Sequence, residues 1–485
     1  MNQLRIKKSI KDIIFKKLSH FENIISVTLV GSFVDKQNLD GISDIDTVVI
    51  CRNLTKNFFN DCKKVIGEID VGTLGLEGYS LRINDTFGPL KFNGSNLVVI
   101  HLMVYDVKGH IQHTVKSPFT CFEWERSKAY QGLMLKQIHP VGLLQPRDFQ
   151  EVRRSLSNYI EDLNKGSISF RTYEFSSKRV MEKLAYKELD RKHLGEYAFH
   201  IYKNIVMNYL KLIARKNIKI DHFKVKEFLK SLKSQYDYVS EYDSLISIKI
   251  KKKDNFSFKS KEIVNDFITQ FSLKIKNDWK YAHKIIFLRH HKTRLNNGIF
   301  LGQKLNPGII NKTKLFKIKQ EKVKFVYSSP LKRSMETAKI YFKETKIISD
   351  PLLLEIDYGE SEGLDFNDLK KQYPHLIDEW KKGKDCKFPK GENYKNVLNR
   401  VLSFTRQLSK SMIHNDKSTV LIVTHNCVLR SIVGHFFNFD VKIWHKLDIP
   451  HGIPLEFLLF NQKYYPNIER KTLGQIFKKL NESVS

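Results

Sequence analysis

The 485-residue chain has no apolar run near the roughly 18 uninterrupted residues of a membrane span, and Met1 to Lys17 carries too much charge for a secretory signal. A soluble, cytoplasmic protein is expected. Cysteine is scarce: five residues, at 51, 62, 121, 386 and 427, an odd number with no CxxC pair. That fits reduced thiols better than a disulfide framework and argues against structural zinc. Acidic residues are few, 52 against 83 Lys and Arg, so the net charge is +31. Such a surplus attracts nucleic acid, nucleotides and phosphorylated metabolites. The lysines are scattered among Asn and Ile, however, and no arginine-rich or aromatic-interleaved tract marks a dedicated nucleic-acid surface. No internal repeat is present. What the chain does have is 41% hydrophobic content, ample for real cores, and a length that suits two or three domains.

Residues 4 to 19 read as an amphipathic helix, with Leu4, Ile10, Ile13, Ile14 and Leu18 on one side. A β-branched strand, IISVTLV, then ends at Gly31 and Ser32. After a polar loop comes SDIDTVVI, whose Asp44 and Asp46 fall on one strand face because side chains repeat every second residue. Two oxygen ligands side by side suit Mg²⁺, and a Gly-Ser turn lets backbone amides and a hydroxyl approach a triphosphate. An apolar strand, Gly-Ser, a loop of about ten residues and Asp-x-Asp in the next strand together resemble the DNA polymerase beta-like nucleotidyltransferase superfamily. The resemblance implies transfer of a nucleotidyl group from an NTP to a hydroxyl of a small-molecule or macromolecular acceptor, with Gly31 and Ser32 at the nucleotide and Asp44 and Asp46 on the metal. The family's third carboxylate belongs on a later strand, where NLVVIHLMVYD instead offers His101, with Asp106 five residues on. Either His101 substitutes, or Asp106 swings in, or Glu68 or Asp70 completes the site. Imidazole is a poor Mg²⁺ ligand but a reasonable base.

From Phe119 to Trp279 the pattern turns helical. Segments 122–138, 146–163 with Pro146 at the start, 177–189 and 195–216 each show apolar spacings of three and four, and two more follow. A helical bundle is expected, which the resemblance implies sits beside the catalytic domain and holds the acceptor. Glu123, Trp124, Glu125 and Arg126 read as packing and solvated charge, and the Lys-rich stretch 247–260 as an exposed turn.

The last third opens on KIIFLRHHKTRLN, residues 284–296, where a buried strand ends at Arg289 and His290. Arginine grips an oxyanion bidentately, and neutral imidazole can attack a phosphorus. A second strand, 324–327, ends at SSPLKR, placing Arg333 one turn into a helix; a third, TVLIVTH, ends at Thr424 and His425, with Arg430 beyond. Carboxyl ends of parallel strands converge on one crevice, so these groups would form a phosphate pocket. Between them lie Glu355 in LLEIDYGESEG and Glu392 in PKGENY. In order and spacing the set resembles the histidine phosphatase superfamily, the branch containing phosphoglycerate mutase and fructose-2,6-bisphosphatase. The resemblance implies His290 as nucleophile, Arg289, Arg333 and His425 as holders of the phosphoryl oxygens, and Glu355 as proton donor and then base. It further implies Asn296, Glu392 and Thr424 at the substrate, and no cofactor. Lys387, Lys390 and Tyr394 are candidates for the leaving group. The departure is His291, where the family has Gly, with the effect left open between crowding the phosphate and adding a donor.

The expected fold is multidomain α/β: an α+β nucleotidyltransferase-like domain over 1–118, a helical bundle over 119–280 and a three-layer αβα, phosphoglycerate-mutase-like domain over 281–485. The expected function is bifunctional, pairing Mg²⁺-dependent nucleotidyl transfer with phosphomonoester hydrolysis. A nucleotide-sensing N-terminal module without turnover, a nucleic-acid end-processing protein and a phosphomutase stand as alternatives.

Overall fold

The computed structural model describes the chain apart from residues 1–2, 40–41, 89, 91, 93, 95, 177–179, 252–255, 312, 314, 317, 319–322, 413–416 and 481–485. By contact it divides into two units, Met1–Leu144 with Asp148–Lys274, and Gln145–Arg147 with Ile275–Ser483. Among the described residues no helix is long and apolar enough to cross a membrane.

The first unit is built on a five-stranded sheet of order β3-β4-β2-β1-β5, comprising β1 (Ile24–Val30), β2 (Ile45–Cys51), β3 (Ser80–Asn84), β4 (Leu97–Asp106) and β5 (Tyr130–Gly132). β1 pairs antiparallel with β2 and β5, while β4 runs parallel to both β2 and β3. One face of the sheet is covered by the helix Gln3–Leu18, whose Ile6, Ile10, Ile14 and Leu18 repeat at helical spacing and pack on Leu29, Val49, Leu102 and Val104. The opposite face of β4 presents His101, Met103 and Tyr105 to a cavity.

Between this sheet and residue 278 the unit is not purely helical. Segment 177–189, expected as helix, holds β7 (Val180–Glu188), which pairs antiparallel along its length with β6 (Ser167–Phe175). Its apolar residues at 180, 181, 184 and 185 suit either period locally. The ladder decides, and β6 is held in place by Tyr173, whose hydroxyl donates to Val104 O at 2.8 Å and accepts from Val104 N. Segment 122–138 breaks after the helix Pro118–Trp124 to supply β5, and 146–163 breaks into Asp148–Glu151 and Leu156–Lys165. Ser155 and Asn158 form a capping box that restarts the second of these. Long helices Arg191–Ala214, Tyr238–Lys251 and Phe258–Asp278 follow as expected. Of the basic stretch 247–260, residues 247–251 end a helix rather than forming a turn, and 252–255 lie outside the described residues.

The second unit carries a six-stranded sheet of order β10-β9-β11-β8-β12-β13, with β8 (His283–Arg289), β9 (Val323–Ser328), β10 (Ile347–Ser349), β11 (Thr419–Thr424), β12 (Pro454–Phe460) and β13 (Lys463–Pro466). The first four are mutually parallel, and β12 returns antiparallel beside β8. Both faces of the central strands are buried, which is why they read as unbroken apolar runs. Ile285, Phe287, Val420 and Ile422 face the core shared with Val401 and Phe404 of the helix Tyr394–Met412. Ile286, Leu288, Leu421 and Val423 face Ala338 and Tyr341 of the helix Lys332–Tyr341. Helices on both faces give the three layers and bring Arg289, Ser328 and Thr424 to one edge.

Gly359 has φ +56, and a Cβ there would lie 2.0 Å from Pro389 O. The Pro389–Glu392 loop can therefore close on the segment after Glu355 only because this residue is glycine. Gly359→Ala is expected to destabilise the second unit by roughly 2 kcal/mol or more, measured as a shift in its denaturant midpoint.

Candidate active sites

In the first unit the strand ends form an acidic cluster. Asp44, just before β2, and Asp46, within it, share the sheet face, and one oxygen or nitrogen from each of Asp44, Asp46 and His101 lies within 4.8 Å of the others. Gly31 has φ +74, and a Cβ there would meet Asp46 Oδ2 at 2.5 Å, so the Gly-Ser turn sits directly against the carboxylate. Asp46 and His101 are register partners on β2 and β4.

His101 is 5% exposed, with Nδ1 2.8 Å from Asp46 Oδ1 and Nε2 2.7 Å from Thr86 O. Both partners are hydrogen-bond acceptors, an arrangement that favours the protonated ring. Burial opposes that charge, but the hydrogen bond and charge of Asp46, with Asp44 and Thr86 O, raise its pKa overall. Both ring nitrogens are thus engaged, Nδ1 toward Asp46 and Nε2 toward Thr86 O, and His101 shares the carboxylate of Asp46 with any cation held there. Asp44 and Asp46 do fit a hard cation as two oxygen donors.

Asp106, at the other end of β4, pairs in register with Cys51 and caps the helix Val107–Lys116 by accepting from Gly109 N. It does not join the cluster, because five residues along a regular strand reverse the face. Glu68 pairs with Lys17 at 3.2 Å, and Asp70 accepts from Gly72 N at 2.9 Å.

Because the folded-state pKa of His101 lies above its ordinary 6.5, its contribution to stability is complete below that value and is lost as pH rises through the folded value. Wild type should therefore lose more stability than His101→Gln as pH rises above 6.5 in denaturant melts of the first unit.

In the second unit, His290 follows β8 and is 2% exposed. Its Nδ1 donates to His291 O at 2.6 Å, which leaves the Nε2 lone pair for a ligand. Burial, Arg333 and Arg289 hold its pKa well below the ordinary value, so the ring is neutral. The ring centroid of His425 lies 5.1 Å away. His425 is neutral for the same reasons, with Nε2 donating to Ser329 Oγ at 2.7 Å and Nδ1 accepting from Arg333 Nε at 3.3 Å. Arg333 is fully buried and donates to Gly302 O and Leu305 O through its two terminal nitrogens, each of which keeps a second N–H. Arg289 donates from Nη1 to Ile449 O at 2.6 Å, while its Nε is buried with no partner among the described residues. Such a donor is what an anion would satisfy.

Glu355 is 4% exposed and accepts from the backbone N–H groups of Ile356, Asn426 and Cys427 at 2.9, 3.0 and 3.1 Å. It thus sits at the N-terminus of the helix Asn426–Phe436. Burial raises its pKa against the opposing pull of these amides and of Arg333 and Arg289.

The three residues expected at the substrate are engaged within the protein. Asn296 Oδ1 accepts from Thr293 N, and Thr424 Oγ1 donates to Leu353 O. Glu392 takes a two-pronged hydrogen bond from Arg400 at 3.0 and 3.1 Å. Arg400 also donates to Glu355 O, so Glu392 fixes the backbone of Glu355 through it. His291 turns away from His290: its Nδ1 lies 3.1 Å from Asn311 O and its Nε2 3.3 Å from Tyr341 OH. Lys390 is exposed and paired with Glu360, and the Tyr394 hydroxyl accepts from Arg430.

Sequence reasoning missed Arg400, Ser329 as the partner of His425, and His451. His451 donates from Nδ1 to His290 O at 2.7 Å, while Gly452 N donates to Arg289 O at 3.0 Å. The His-Gly pair just before a strand was the available signal for this clasp.

Part of the second unit is similar to known proteins. Residues 285–459 match the histidine phosphatase superfamily, branch 1. 6-Phosphofructo-2-kinase 1 of Saccharomyces cerevisiae is 28% identical over 130 residues, 26% of this chain and 15% of that one. Phosphoserine phosphatase 1 of Hydrogenobacter thermophilus is 27% identical over 172 residues, 33% of this chain and 80% of that one. The solved structure of the alpha-ribazole phosphatase of Shigella flexneri is 19% identical, with a TM-score of 0.34, and covers 39% of this chain and 96% of that one. The chain therefore spans about one-seventh of the yeast relative and most of the bacterial one. The segment from Ile285 to Leu459, which contains the strand ends around His290, is thus similar to the histidine phosphatase superfamily over its whole length.

Proposed function

We propose that the second unit hydrolyses small phosphomonoesters through a phosphohistidine. His290 Nε2 attacks phosphorus as the ester P–O bond breaks, and Glu355 gives its proton to the leaving alcohol. Water then attacks the phosphorus, loses a proton to the Glu355 carboxylate and releases inorganic phosphate as the N–P bond breaks. Arg289 and Arg333 stabilise the phosphoryl oxygens, where a loose transition state gathers charge, and His425 joins them when its Nε2–H turns from Ser329 Oγ to the phosphoryl group. The observation that carries this reading is the 2.6 Å Nδ1 hydrogen bond to His291 O, which orients a neutral His290 with its Nε2 lone pair free among buried cations. Brief reaction with a phosphomonoester should leave an acid-labile, base-stable phosphate on His290, seen by mass spectrometry. Transfer of that phosphate to a second alcohol, with no inorganic phosphate, would instead make the enzyme a mutase.

The Asp44–Asp46 pair against Gly31 supports a second reading for the first unit, Mg²⁺-dependent transfer of a nucleotidyl group from an NTP to an acceptor hydroxyl. Asp44 and Asp46 would hold the cation, which supplies charge neutralisation at the triphosphate, and Gly31 and Ser32 would contact the phosphates. None of the five cysteines is in a disulfide, and both activities suit the cytoplasm. Asp44→Ala should abolish pyrophosphate release from labelled NTP. Magnesium-dependent NTP binding by wild type with no pyrophosphate from any acceptor would leave the first unit as a nucleotide sensor, a role the fully hydrogen-bonded His101 favours.

A further inference from the structure

The cavity beside Asp46 has a volume of about 290 Å³ and contains more than the acidic cluster needs. Cations gather in two separate places in it. Lys203 acts on Glu123, which is tied through Arg126 to Asp35 of the short helix that begins at Ser32. The other group, Arg153, Arg154 and Arg171, comes from the loop before the helix Leu156–Lys165 and from β6. Arg153 Nη2 lies 2.5 Å from Glu182 Oε2 and Arg171 Nε 3.8 Å from the same oxygen, while Arg154 donates to Ser169 O. Among the described residues Glu182 is the one carboxylate within ion-pair distance of these guanidinium groups, and buried Asp162, which with Arg154 acts on Tyr159 and Tyr197, is the next nearest.

Two buried polar groups line the cavity beside these arginines. Tyr105 is 3% exposed, and its hydroxyl has no partner among the described residues; His113 is 7% exposed, and neither of its ring nitrogens has one. The two rings lie 5.1 Å apart, and Phe87, which packs on Tyr105 at 5.0 Å, pairs through its backbone with Arg171. Burial and the neighbouring arginines keep His113 neutral, so it offers one N–H. Buried hydroxyl and imidazole groups are normally satisfied, and unpaired arginine charge at a cavity wall is costly unless an anion meets it.

We propose that Arg153, Arg154, Arg171, Tyr105 and His113 form a binding subsite for the dianionic phosphate group of a phosphorylated acceptor, distinct from the place of the nucleotide. Three guanidinium groups close together suit a phosphomonoester dianion, and the fork of arginine with a hydroxyl and an imidazole N–H matches its oxygens. The assignment of this ligand as an acceptor rests on the nucleotidyl-transfer reading; the phosphate subsite itself does not.

Hydrogen exchange by mass spectrometry on the full chain tests it, because each site reports through its own peptides. Inorganic phosphate should slow exchange over 105–116 and 151–171 of wild type, and magnesium with a non-hydrolysable NTP should slow 31–35 and 44–51, the two effects adding. Arg171→Gln should raise the phosphate concentration required by about tenfold or more, and Tyr105→Phe by about fivefold. Tyr105→Phe removes only a hydroxyl unpaired within the protein, so a folded variant is assured even if the arginine change perturbs the hairpin. Phosphate protection confined to the second unit, or unaltered in both variants, overturns the proposal. So does displacement of phosphate by the magnesium nucleotide, which would assign the arginines to the triphosphate. Phosphate protection as expected with no nucleotide effect keeps the subsite and removes the nucleotidyl-transfer reading.

Discussion

His290→Ala is expected to lower phosphate release from any phosphomonoester turned over by wild type by at least about 10⁴-fold, since removing a covalent nucleophile disables the whole path. The remaining buried cations keep their hydrogen bonds to Gly302, Leu305 and Ile449, so substrate should still bind. Steady-state kinetics should show the loss in kcat, with binding of a phosphate analogue changed by less than about tenfold. The pH dependence offers a second check. Because burial, Arg333 and Arg289 hold the His290 pKa well below 6.5, wild-type activity should show no loss from its protonation on going from neutral to mildly acid solution. Phosphate release by His290→Ala at the wild-type rate would defeat the assignment.

Glu355→Gln is expected to reduce kcat by about 10²- to 10⁴-fold for esters of ordinary alcohols, the usual share of a general acid. The loss should be much smaller for an activated ester such as an aryl phosphate, whose leaving group needs no proton. Burial raises the Glu355 pKa above the ordinary 4.5. An acid must be protonated to act, so wild-type activity should fall as pH rises through that raised value. The glutamine variant should lack this alkaline limb. A variant with equal losses for activated and ordinary esters would instead make Glu355 a structural anchor for the helix it caps.

The two effects separate because the groups are held by different devices. His290 is fixed from its own strand end and by the clasp of His451 and Gly452. Glu355 is fixed by the helix amides at 426 and 427, and by Arg400, which Glu392 orients.

Sequence alone determined three strands of the second unit's sheet, β8, β9 and β11, and the edge at which its chemistry collects. Unbroken apolar runs such as IIFL and VLIV mark strands buried on both faces, and each run ends at its polar group, so strand parallelism alone brings Arg289, Thr424 and their neighbours together. The pairing of Asp44 with Asp46 was equally legible, because alternation along one strand is a local property.

Tertiary structure decided what depends on residues far apart in the chain. The helical period assigned to 177–189 gave way to a hairpin whose hydrogen bonds are made only when β6 is held by Tyr173 against β4. Asn296, Thr424 and Glu392 turned inward to partners at 293, 353 and 400, and His291 to Asn311 and Tyr341, none of which a local pattern reveals. The pKa of His101 is raised because register sets the ring between Asp46 and Thr86 O. Periodicity reports which face a side chain takes along its own element; the charge and role of that side chain are set by what the other elements bring to the same face.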